Sequence, residues 1–143
     1  METIMLLSRL LHSWTRWLVV VVAVVALVVF ILGLIQNRPW NQNANRLLNA
    51  YSSLLGLQWL FGAVLLIAYG SLTGFGQRHL WEHLFIQTVA VVIANAHHGW
   101  RRRDLADSVR WRNGLIVIAV SLILALIGVF LLPVAIQWRF FVP

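Results

Sequence analysis

Four apolar stretches, each about as long as a bilayer is thick, constrain this chain more than any other feature. They run over about residues 13–35, 47–69, 79–100 and 114–136. A helix rises about 1.5 Å per residue, so roughly 20 residues cross the hydrocarbon core. Lipid offers the backbone no hydrogen-bond partners, so a spanning segment must bond internally as a helix. The polar segments between the stretches, 36–46, 70–78 and 101–112, are short, and short connections make antiparallel neighbours. The expected fold is all-α: an integral membrane four-helix antiparallel bundle, one domain over residues 1–143.

Charge supports this reading. The chain is 61% hydrophobic and 10% charged, where a soluble domain carries about a quarter charged residues. Net charge is +7, from eleven arginines, no lysine and four acids. The arginines flank apolar spans, as membrane insertion requires, so no nucleic-acid partner is expected. With no cysteine, thiol catalysis, iron–sulfur ligation and c-type haem attachment are excluded for these residues. The first stretch is too long for a signal-peptide core and no A-x-A-like site follows it, so it is expected to be retained.

Arginine counts suggest an orientation. Segments 36–46 and 101–112 hold Arg38, Arg46, Arg101, Arg102, Arg103, Arg110 and Arg112; the opposite side holds Arg9, Arg16, Arg78 and Arg139. The positive-inside rule places the first set in the cytoplasm and both termini outside, in a bacterial cytoplasmic membrane. Tryptophans agree. Trp14, Trp17, Trp81 and Trp138 fall at the expected outer boundary, and Trp40, Trp100 and Trp111 at the inner one. Indole favours that level.

Residues with chemical capacity gather in the third stretch, which holds four of the five histidines. The topology brings His12 and His83 to the same side. Two histidines at one depth on facing helices are what a b-type haem needs, one imidazole for each axial position. Gly56, Gly62, Ala90 and Ala94 are expected to leave room for the ring. Arg16 and Glu82 are the expected supporting pair, with Arg16 meeting Glu82 or a propionate. The competing reading is a set of interfacial polar residues that pair with one another. His97 shares a helix face with His83, about 21 Å away. Helix 1 offers only Val25 and Ala26 opposite it, so no second haem is expected. His79 and His83, an i, i+4 pair, lack a third metal ligand, and no metal beyond a haem iron is expected. His97-His98 beside Arg101 to Arg103 suits a helix C-terminus facing anionic lipid. Mid-span polar residues are Gln58, Gln87, Thr88, Asn95 and Ser121. None is ionisable, which argues against a pump or channel. No nucleophile elbow is present.

His12-Ser13-x-x-Arg16-Trp17 entering helix 1, Glu82-His83 opening helix 3, and the following arginine-rich stretch together resemble small four-helix bacterial membrane proteins loosely labelled cytochrome b-like. The likeness covers most of the chain. One position departs: where a helix 2 histidine is expected, this chain has Leu57-Gln58-Trp59. The resemblance implies an electron-transfer setting. The expected role is a non-catalytic accessory subunit of a respiratory or photosynthetic complex, with no cofactor of its own. Such a subunit braces other membrane subunits and holds phospholipid or quinone. The alternative is a cytochrome b-like electron carrier with one haem b on His12 and His83.

Overall fold

A computed structural model describes residues 2–135 and Gln137. The described residues are helical, with no strand. Four α-helices run Glu2–Ile35 (α1), Gln42–Thr73 (α2), Arg78–Asn95 (α3) and Asp107–Phe130 (α4); a 3-10 turn, Ala96–Gly99, extends α3. α1 and α3 each pack on both α2 and α4. The bundle is therefore a square with α1 and α3 on one diagonal. Three helices, α1, α2 and α4, are long and apolar enough to cross a membrane.

The helix ends differ from the expected spans because hydropathy marks apolar length, whereas capping decides where hydrogen bonding stops. α1 ends in a Schellman motif. Asn37 takes a left-handed φ of 49°, Asn37 N donates to Leu34 O at 3.3 Å and Arg38 N to Gly33 O at 3.0 Å, and Pro39 cannot extend the helix. α2 starts at Gln42, before the apolar run, because Asn41 Oδ1 accepts from Ala44 N at 2.9 Å. It continues through the expected 70–78 turn as far as Thr73. Gly74, at φ 84°, caps it by donating from N to Gly70 O at 2.8 Å.

α1 starts at Glu2, eleven residues before the expected 13, while the third stretch differs in kind. Its α-helix stops at Asn95, whose side chain bonds back to Val91 O at 2.9 Å, and residues 96–99 tighten into the 3-10 turn. Arg78, His79, Glu82 and His83 load its start with polar groups, so α3 is not among the helices apolar enough to span by composition. The fourth helix is displaced toward its N-terminus. It begins at Asp107 and ends at Phe130, because Pro133 has no N–H to continue it. Gln137 Nε2 donates to the freed carbonyls of Phe130 and Leu132, at 3.3 and 2.5 Å. Arg46, Arg110 and Arg112, expected in loops, therefore lie on helices. Ile136 of the fourth expected span, Trp138 and Arg139 lie outside the described residues.

The core follows heptad-like spacing. α1 contributes Val19, Ala23, Ala26 and Phe30, and α2 contributes Ala44, Leu48, Tyr51 and Leu55. Ala90 and Ala94 come from α3, Trp111 and Ile118 from α4. Residues 3 and 4 apart share a helix face, so these positions form one inward stripe per helix. At one end the stripes close in an aromatic plug. Phe30, Trp40 and Trp111 meet edge to face with centroids 4.9–5.8 Å apart. Trp111 Nε1 donates to Arg38 O at 2.8 Å. Trp111 is 2% exposed, so it fills the bundle end rather than facing headgroups as expected. Gly33 and Gly114 make this possible, since a Cβ at either would strike the Trp111 or Phe30 ring. Outer faces are apolar and exposed, as at Val21, Phe85 and Val92.

Candidate functional site

The inward stripes do not stay apolar. Past Val19, Leu55, Ala90 and Ile118, toward the other end, the same registers bring His12, Gln58, His83 and Gln87 to the interior. The bundle there is hollow. A cavity of about 370 Å³ lies among all four helices, with His12, Arg16, Gln58, Gly62, His83 and Gln87 among its walls. Leu55, Leu66, Leu84, Leu122, Leu126 and Val129 make most of the rest apolar, and Arg9, Tyr69, Gln77 and His79 stand at the polar end. The volume falls in the range of about 300–1,000 Å³ that ligand and cofactor sites occupy.

His12 and His83 thus come together, as their expected common depth requires. They reach the cavity from α1 and α3, across the diagonal. His12, His83 and Arg16 are within electrostatic reach of one another.

Each imidazole is oriented by a backbone carbonyl. His83 Nδ1 donates to Gly128 O at 2.6 Å, and His12 Nδ1 lies 3.2 Å from Gln58 O, which can only accept. With Nδ1 protonated, the lone pair of each ring sits on Nε2. Fixing one ring nitrogen by a carbonyl is how proteins orient an imidazole ligand. Gln58 also touches His12 through its side chain: Nε2 lies 3.1 Å from both ring nitrogens. The amide therefore lies across the ring instead of at the end of one lone pair. Gln58 is 9% exposed, and its Oε1 is buried with no hydrogen-bond partner among the described residues.

Other expected site features are placed differently. Glu82 does not meet Arg16. It sits about 100° around α3 from His83, faces outward, and pairs with Arg78 one turn earlier at 2.5 Å. Arg16 lines the cavity, and its guanidinium carbon lies 5.7 Å from the Trp17 ring centroid. Of the small residues expected to make room, only Gly62 lines the cavity. A Cβ there would come within 2.9 Å of His12 Cε1, while Gly56 has no atom within 4 Å to pack on. Ala90 and Ala94 are fully buried in the core. His97 is also buried. It is tied to Ala94 O at 2.8 Å and Asn49 Oδ1 at 2.9 Å, with His98 stacked at 4.0 Å; His97 is a joint between α3 and α2 and not a lipid contact. Mid-span polar groups are absorbed locally. Tyr51 Oη meets Ser121 Oγ at 2.8 Å, and Gln87 Nε2 donates to Ala125 O at 2.9 Å. No cluster of three metal-ligating side chains occurs among the described residues.

The residue whose place at the site the sequence reading missed is Gln58, noted there only as a mid-span polar group and as the departure from an expected helix 2 histidine. Its register was the available signal. Leu48, Tyr51, Leu55, Gln58 and Gly62 step by 3 and 4, which puts Gln58 on the inward stripe. Two imidazoles with carbonyl-bonded Nδ1, apolar walls and the guanidiniums of Arg9 and Arg16 are the donor set that a bis-histidine haem would need, with the Gln58 amide turned aside from His12 Nε2. Compared with known proteins, the chain matches no family model, no curated protein and no solved structure.

Proposed function

We propose that the chain crosses a bacterial cytoplasmic membrane four times and serves as a cytochrome b-like electron carrier with one haem b between His12 and His83. The observation that carries this reading is the pair of imidazoles lining one apolar cavity from diagonal helices, each with Nδ1 tied to a backbone carbonyl. A bound haem supplies a one-electron couple that no side chain here provides. The chain's own residues do the rest. Gly128 and Gln58 orient the imidazoles, the leucine-rich walls keep water out, and the charge of Arg16 favours the state that has gained an electron. α3 is held in the bilayer as the fourth crossing by its neighbours α2 and α4; His79 and His83 turn to the cavity while Arg78 and Glu82 pair at the outer surface. The arginine bias puts the cavity end, with both termini, on the outer side.

The test is a reduced-minus-oxidised spectrum of the chain purified in mild detergent and supplied with iron protoporphyrin IX. A b-type α-band is expected, and His83→Ala should abolish it. A chain that gains no such band ends the haem reading.

One observation favours the second reading, an accessory subunit that holds quinone or lipid and braces neighbouring subunits. Gln58 Oε1 is a buried acceptor without a donor. A porphyrin brings no hydroxyl to it, whereas a quinol does. Solvent extraction of the purified chain distinguishes the two: stoichiometric quinone without a haem band selects the accessory role.

A further inference from the structure

The two cavity histidines are not held alike. The seat of His83 is built from backbone. Its Nδ1 bonds Gly128 O at 2.6 Å, and Gly128 is hemmed in by Gln87, whose Nε2 a Cβ at 128 would approach to 2.6 Å. Gln87 is itself bonded to Ala125 O of the same helix. A helical carbonyl pinned in this way cannot turn aside. No group among the described residues donates to His83 Nε2.

His12 also has a backbone partner, Gln58 O at 3.2 Å from its Nδ1, but unlike His83 it meets a side-chain amide as well. The Gln58 amide lies 3.1 Å from its Nε2 as well as its Nδ1, and the ring rests on Gly62, where there is no side chain. His12 thus has a polar partner ready whenever its Nε2 is not otherwise engaged, and His83 does not. An acceptor left unpaired in an apolar site is destabilising, so such a ready partner lowers the cost of releasing a ligand.

We propose that His83 is the fixed axial ligand and His12 an exchangeable one, which Gln58 receives when a small neutral molecule such as carbon monoxide takes its place on the iron. This rests on the haem reading above. The exchange breaks one iron–nitrogen bond and forms one iron–carbon bond, with no proton or electron gained or lost. Gln58 is then a positioning residue that acts through His12.

The test uses the full chain in detergent, loaded with iron protoporphyrin IX, reduced, and titrated with carbon monoxide under spectroscopic observation. The unmodified chain should be low-spin and should bind carbon monoxide. His83→Gly should weaken haem binding by about tenfold or more, and added imidazole should restore it, showing that the variant is folded. His12→Ala should keep haem to within about threefold and turn high-spin. Gln58→Leu, which removes the waiting partner, should lower carbon monoxide affinity by about tenfold, measured on the haem-loaded fraction. Equal loss of haem from the His12 and His83 variants, or a reduced chain that refuses carbon monoxide, overturns the inference and leaves the haem reading intact. If the unmodified chain binds no haem, both fall.

Discussion

Single atoms decide how His12 is placed. Gly56 and Gly62 lie on the same helix, yet their hydrogens face different surroundings. At Gly62 a Cβ would crowd the imidazole; at Gly56 it would meet nothing. Gly62→Val should therefore displace His12 and cost about 1–3 kcal/mol as overpacking. Gly56→Ala should stabilise by about 0.5–1 kcal/mol, because a helix interior favours alanine over glycine. Paired melting curves in one detergent check this: the temperatures should move in opposite directions, and a parallel shift would mean that His12 does not rest on Gly62. At this scale the sequence was partly legible. His12 and His83 could be picked out by type and depth. Gln58 could not be assigned its role, because an amide has no ligand chemistry of its own and its contact with His12 spans 46 positions. The Arg16–Glu82 pairing failed for a rotational reason: once His83 faces inward, Glu82 must face out.

Three helix ends in this chain have identifiable backbone caps, while α3 and α4 start without a side-chain cap. Asn41 closes the start of α2, Asn37 and Pro39 the end of α1, Gly74 the end of α2. Asn41→Ala should cost about 1 kcal/mol, most of it felt in the first turn of α2. Faster amide exchange at residues 42–46, with the rest of α2 unchanged, is the expected signature. Uniform loss across α2 would show the cap to be coupled to the core. All four helices were visible as apolar runs, while their limits were displaced by up to eleven residues, as at Glu2 against the expected 13 and Asp107 against the expected 114. The first turns of α2 and α4 are Gln42-Asn43-Ala44-Asn45 and Asp107-Ser108-Val109-Arg110. Such residues read as loop by hydropathy but are helical by hydrogen bonding.

Across the whole molecule, one half is filled and the other is hollow. Apolar periodicity predicts that four stripes converge; it does not give the volumes that decide whether they fill the space between them. The aromatic plug and the cavity were therefore not legible, since both depend on which large and small side chains meet across helices. Four crossings make a prediction of their own. The chain has no cysteine, so Gly76→Cys and Asp104→Cys each carry a single label site in a connection. In spheroplasts, a membrane-impermeant thiol reagent should modify the first directly and the second only after permeabilisation. Modification of both from the same side would mean that α3 does not traverse. The Phe30–Trp40–Trp111 plug gives the bundle a blind end. The hollow half is closed at that end, and its polar walls, Arg9, Tyr69, Gln77 and His79, mark the opposite one. With the proposed haem in the hollow half, the chain exchanges electrons at one end only and does not conduct from one compartment to the other.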